Sequence, residues 1–95
     1  MDVYVVTYDI RDDKRRRDVY QCLLGWGKHL QFSVFWCQLS APQLARLKAG
    51  LDPLLQHDED QVLFFCLGPH DGRGARATAS LGRPFEPPER KAVIA

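Results

Sequence analysis

Asp9 closes an apolar run, "VYVVTYDI", and within the next eight residues the chain supplies Lys14, Arg15, Arg16 and Arg17. A carboxylate followed at once by cations can serve phosphate chemistry. A lone carboxylate holds a divalent ion that keeps most of its water ligands, and neighbouring arginines hold phosphate oxygens. Such an ion activates a water, or polarises a phosphoryl oxygen, for phosphodiester hydrolysis. A plainer assignment stays open beside this one. The positive N-terminus of the following helix stabilises a carboxylate at Asp9, and the cations can form a solvated helix face with Asp13/Arg17 and Lys14/Asp18 pairs at i,i+4. Arg15 or Arg16 continues the inward stripe of Val19 and Leu23, which turns at least one cation back toward Asp9.

The elements that must position these groups follow from periodicity. Residues 3–10 are β-branched and aromatic, and alternation puts Val3, Val5, Thr7 and Asp9 on one face and Tyr4, Val6, Tyr8 and Ile10 on the other. Asp12 or Asp13 can cap a helix over residues 13–24, along which Val19, Cys22, Leu23 and Trp26 recur at helical spacing, and Gly25 and Gly27 offer a stop. "LQFSVFWCQL" reads as two short strands broken near Ser33 to Phe35. Ser40, Pro42 and Gln43 form a capping-box start for a second helix with Leu44, Leu47, Leu51 and Leu54 as its apolar stripe. "DQVLFFCL", from Asp60 to Leu67, is the last strong strand. The order predicts an α+β fold, the βαββαβ pattern of a ferredoxin-like sandwich.

At 95 residues the chain has apolar material for one core, divided here into a core over residues 1–67 and a hinge with tail over residues 68–95. Between Gly68 and Lys91 the composition shifts to four glycines and four prolines, ahead of a final apolar "AVIA". Two helices cover one face of such a sheet, yet the strands carry apolar side chains on both faces. The second face therefore predicts a homodimer, with "KAVIA" adding a strand that completes the partner subunit's sheet.

The formal charge is only +1, with 45% hydrophobic and 26% charged residues. Distribution says more than the sum: five cations fall between Arg11 and Arg17 and five more between Arg73 and Lys91. Two basic patches on a near-neutral chain are compatible with phosphate contacts. Cys22, Cys37 and Cys66 are odd in number and widely spaced, which excludes a disulfide framework or a CxxC motif and predicts core thiols in a reducing cytosol. No secretory leader pattern or membrane-length apolar run is visible, so a cytoplasmic location is expected.

"YDIRDDKRRRDVYQCLLGWG", then "LQFSVF" and "DEDQVLFFCLG", with a fainter "SLGRP" at 80–84, resembles the second of the small CRISPR-associated protein families, over residues 1 to about 67. The resemblance implies a prokaryotic, cytoplasmic role in CRISPR adaptation, the acquisition of spacers in antiviral defence. It implies a homodimer in which a C-terminal strand of each chain docks on the partner subunit, and which bridges subunits of the CRISPR integrase. It also implies metal-dependent endonuclease activity on RNA or double-stranded DNA. Position by position, Asp9 matches the family's metal-binding carboxylate, Tyr8 its aromatic neighbour, Arg16 a helix-one arginine, and Ser33 and Phe35 the Ser-Val-Phe motif; these are the expected catalytic residues. Mg²⁺ or Mn²⁺, one per dimer and shared by two copies of Asp9, is the expected cofactor. The chain departs from the family at His29 and Asp18, where arginines are common, and at Trp36, where glutamate is.

Lys14, Arg15, Arg16 and Arg17 are the expected phosphate contacts to double-stranded DNA, with Arg73 and Arg76 as a second set. Backbone contacts carry no base-reading code, which suits a complex that must accept any invader sequence. Two alternatives stay open. One is a toxin-like ribonuclease of related fold using the same Asp9; the other is a non-catalytic RNA-binding module stacking bases on "QFSVFW". His29, His57 and His70 show no zinc-ligand spacing. "GPHDGRGAR" lacks the lysine and hydroxyl ending of a phosphate-binding loop and reads as a mobile hinge ahead of the tail.

Overall fold

The computed structural model describes residues 1–88. Strand β1 (Asp2–Asp9) leads through helix α1 (Asp13–Leu24) to the hairpin β2 (Gly27–Gln31) and β3 (Val34–Leu39). Helix α2 (Ala41–Leu51) ends in a single 3-10 turn at Asp52–Leu54, strand β4 (Gln61–Pro69) follows, and a short helix α3 (Arg73–Arg76) closes the ordered elements. The strands form one antiparallel sheet in the order β2-β3-β1-β4, the ferredoxin-like arrangement expected from the element order.

Local chemistry explains the boundaries. Asp12 caps α1 by accepting the Arg15 backbone N–H at 2.9 Å. Ser40 and Gln43 make the reciprocal capping box of α2, with Pro42 in its first turn. Val19 and Leu23 of α1 and Leu47 and Leu51 of α2 pack on the sheet against Val6, Tyr8 and Ile10, together with Phe35, Cys37 and Leu39 of β3. The alternation of β1 is thus kept, with one set of side chains under the helices. The hairpin turns at Phe32 and Ser33, where Phe32 has φ of 33°, slightly ahead of the expected break.

Three expectations change. Residues 68–76 are not a free hinge: β4 runs on through Pro69, and α3 packs against β4 and β1. Gly74 makes that approach possible, since a Cβ there would lie 2.5 Å from the Gly68 carbonyl oxygen and 2.8 Å from Val3 Cγ2. Gly68, at φ of 99°, supplies the left-handed bend under Arg73. Second, the tail itself covers part of the face that the sequence leaves for a second copy. Residues between Thr78 and Phe85 line a groove over Val5, Val34 and Trp36, the Phe85 ring packs tilted against Trp36 at 5.5 Å, and Gln38 Nε2 donates to the Pro88 carbonyl. Trp36 is left 2% exposed, while Leu63 and Phe65 on the same face of β4 remain 42% and 50% exposed. The terminal strand expected at "KAVIA" lies outside the described residues.

Third, the cysteines differ. Cys37 is a core thiol whose pKa burial pushes up to about 12, and burial raises Cys22 as well. Cys66 is exposed instead: it lies on β4, an edge strand of the sheet, where it pairs with Tyr4 of β1. All three are free. Among the described residues no helix is long and apolar enough to cross a membrane.

Candidate active site

Asp9 is the last residue of β1, opposite Gln61 of β4, and its side chain is exposed on the face shared with Val5 and Thr7. The next residue, Ile10, is buried beneath α1 and ties the strand end to the core. Between them the chain opens a cleft of about 720 Å³. Its walls are Tyr8, Asp9 and Ile10 from β1, Asp13, Arg16, Arg17 and Tyr20 from α1, and Phe32 and Ser33 from the hairpin turn.

The cations divide by what they touch. Arg16 Nη1 donates to the carbonyls of Ile10 at 3.0 Å and Arg11 at 3.1 Å, and Nη2 pairs with Asp13. Its guanidinium therefore shapes the β1–α1 connection while forming part of the wall. Arg17 lines the cleft, and among the described residues no carboxylate pairs with it. Lys14 pairs with Asp18 at 3.0 Å, as its spacing implied, whereas Asp13 takes Arg16 in place of Arg17. Arg15 turns the other way and binds Asp60 and Glu59. Neither Lys14 nor Arg15 lines the cleft. Arg73 and Arg76 sit on α3 beside Gly68, which pairs with Val3 at the far end of β1. That end is roughly 20 Å from Asp9 at about 3.3 Å per strand residue. The cations of α1 and those of α3 therefore lie near opposite ends of β1.

The aromatic groups also divide. Tyr8 is nearly buried, and burial followed by the neighbouring Tyr20 pushes its phenol above the ordinary range, with Arg16 opposing. It is a neutral hydrogen-bond donor at physiological pH and no base. The Ser33 carbonyl accepts from the Tyr8 N–H at 3.2 Å, which ties the hairpin turn to the strand end. Phe35 is fully buried and packs against Tyr8, Tyr20 and His29, so it supports the cleft from beneath and does not line it. Tyr20 and Phe32 do line it; neither was expected there, Phe32 standing only in the base-stacking stretch of the RNA-binding alternative. Tyr20 lies four residues after Arg16, one helical turn along the same face, which was the available signal.

Among the described residues no group of three His, Cys, Asp or Glu side chains gathers as a metal site. With Asp13 taken by Arg16, one chain offers the single exposed carboxylate of Asp9. That donor set fits a hard cation retaining most of its waters. It does not fit a closed cage within one chain.

The family model described as "CRISPR associated protein Cas2" matches residues 1–73. The chain is 37% identical over 92 residues to a CRISPR-associated endoribonuclease Cas2 of Geobacter sulfurreducens, spanning 97% of this chain and 96% of the relative. It is 41% identical over 91 residues to a CRISPR-associated endoribonuclease Cas2 of Rhodospirillum rubrum, spanning 96% and 88%. Among solved structures, the crystal structure of a hypothetical protein from Thermus thermophilus matches with a TM-score of 0.77 at 29% identity, over 92% of this chain and 98% of that one.

Proposed function

The chain belongs to the CRISPR-associated protein Cas2 family, and on that premise we propose that it is a homodimeric subunit of the spacer-acquisition machinery with endonuclease activity centred on Asp9. In this reading it bridges integrase subunits and lies along the backbone of double-stranded DNA. The observation that carries it is the cleft itself, where an exposed carboxylate at the end of the central strand shares a wall with Arg16 and Arg17. The endoribonuclease names of relatives 37% and 41% identical support hydrolysis of phosphodiesters, in RNA or in duplex DNA.

Asp9 would hold the Mg²⁺ or Mn²⁺, one ion per dimer. When bound, the ion supplies Lewis acidity to the phosphodiester and lowers the pKa of a coordinated water. The chain's own groups do the rest. Arg17 binds a phosphate oxygen, Arg16 fixes the loop that presents Asp9, and Tyr8 donates a hydrogen bond from a dry position. Exposed Leu63 and Phe65 on the face that carries Asp9 support a two-fold interface there. Such an interface brings two Asp9 side chains together.

The stand-alone RNA-binding alternative is narrowed, because Phe35 and Trp36 of the aromatic stretch are buried and Phe32 alone of its three rings is exposed for stacking. The toxin-like ribonuclease uses the same cleft without a partner, so the integrase decides between them. The test is co-purification and sizing with the integrase encoded beside this chain, for wild type and Asp9→Asn, with RNA and duplex DNA cleavage followed in Mg²⁺ and in EDTA. Complex formation by both proteins, with cleavage only by wild type in metal, is the expected result. Cleavage that persists in EDTA removes the metal mechanism, and cleavage without integrase binding favours the toxin-like enzyme.

A further inference from the structure

Phe32 is 94% exposed at the tip of the two-residue turn between β2 and β3, in a left-handed backbone conformation with φ of 33°. Among the described residues it is the only side chain other than glycine's carried at positive φ. A turn of this length favours Asn or Gly at such a position, because a Cβ crowds the backbone there. The ring contributes almost nothing to the core. Neither packing nor turn chemistry therefore accounts for a phenylalanine at the tip.

The turn is nonetheless held firmly from beneath. His29 Nε2 carries the hydrogen and donates to the Phe32 carbonyl oxygen, which can only accept. The His29 ring is set edge-on to Tyr20 at 5.1 Å and tilted against Phe35 at 5.0 Å, and Phe35 belongs to the core. An exposed aromatic ring on a fixed backbone loses little freedom on binding, which is how aromatic anchors work. Phe32 also lines the cleft that contains Asp9 and Arg17, whose cation no carboxylate among the described residues pairs. A flat apolar surface beside a free guanidinium is complementary to a nucleotide, with its base on the ring and its phosphate on the cation.

We infer that Phe32 stacks on the base of an unpaired nucleotide and thereby directs single strands, or the frayed ends of duplexes, into the Asp9 cleft. The inference rests on the nucleic-acid function proposed above. Bases inside a duplex have both faces covered, so a protruding ring selects unpaired nucleotides. It tolerates any base, since every base has a π-face.

The test uses the full chain and three probes: a short single-stranded DNA and a single-stranded RNA, each carrying 2-aminopurine, and a closed dumbbell duplex with no unpaired end. Phe32→Gly relieves the backbone and is expected to melt no lower than wild type, yet to bind the single strands roughly 5- to 100-fold more weakly. Dumbbell binding is expected to stay unchanged. Phe32→Trp is expected to retain affinity and deepen the quenching of 2-aminopurine, and the two single strands show whether RNA or DNA is preferred. If wild type binds single strands and Phe32→Gly binds them equally well, the stacking role is wrong while the wider function stands. A substitution that alters only the size of the assembly makes the ring a protein contact and overturns the inference. If wild type binds none of the probes, the nucleic-acid function itself falls, and the inference with it.

Discussion

Arg15 of α1 and Asp60, just ahead of β4, form a two-point ion pair across 45 residues of chain, with Nε to Oδ2 at 2.8 Å and Nη2 to Oδ1 at 3.2 Å. Asp60 Oδ2 also accepts the Gln56 N–H, and the Asp60 side chain is 1% exposed. One carboxylate thus organises the turn before β4 and fastens it to the first helix.

That pair sets the acid limit of the fold. The hydrogen bond from Arg15, then that from Gln56, holds the Asp60 carboxyl below the usual range. A carboxylate with a lowered folded-state pKa stabilises above its unfolded value, and the contribution is lost as pH falls through the folded one. Arg15 is shifted upward, and its titration lies beyond any working pH. Melting temperature is expected to drop below about pH 4 in wild type. Asp60→Asn should melt several degrees lower at neutral pH and show a flatter acid limb; thermal melts across pH check both.

Consecutive cations on α1 should separate cleanly by assay. Arg17→Ala is expected to leave the melting temperature unchanged and reduce the salt slope of DNA binding by about one. Arg15→Ala should do the opposite, lowering the melting temperature with the slope preserved, because its guanidinium is committed to Asp60 and Glu59. Equal slopes for wild type and Arg17→Ala remove Arg17 from the phosphate contacts.

Phe35→Ala should behave as a core deletion. Its ring is fully buried, and truncations of this kind cost about 3–5 kcal/mol. Urea unfolding should show the midpoint falling by that free energy divided by an unchanged m-value, with any loss of cleavage following loss of fold. A stable but inactive Phe35→Ala protein would return Phe35 to the chemistry.

Phe65→Arg tests the proposed two-fold face. The ring is half exposed on β4, so the substitution should leave the monomer folded while sizing shows the dimer lost. Metal-dependent cleavage should vanish with it, since each chain brings a single Asp9. A Phe65→Arg dimer would move the interface elsewhere.

The elements fixed by local patterns were legible in the sequence. Val6, Tyr8 and Ile10 alternate inward, Asp12 caps α1, and the Ser40/Gln43 box opens α2, each decided within a few residues. What escaped depends on distant partners. Nothing in "KRRR" tells Arg15 that Asp60 awaits it, or Arg16 that the Ile10 and Arg11 carbonyls do. Gly72 and Gly74 read as hinge signals, yet Gly74 is small because Gly68 and Val3 approach it across the sheet edge. Within "QFSVF" the two phenylalanines exchange their expected importance. Phe35 points under the helices, while the left-handed turn carries Phe32 out to the cleft rim.

Strand β1 is bonded to β3 on one side and β4 on the other, whereas β2 ends the sheet. Amide protons in the centre of β1 should therefore exchange with solvent only when the whole molecule unfolds, while those of the outer hairpin escape through smaller openings. Asp9 rides on the slowest-exchanging segment and Phe32 on a faster one. Rare openings of the hairpin, whose turn His29 holds closed, thus leave the carboxylate in place, and Asp9 is among the last groups of the cleft to be lost as the fold loosens.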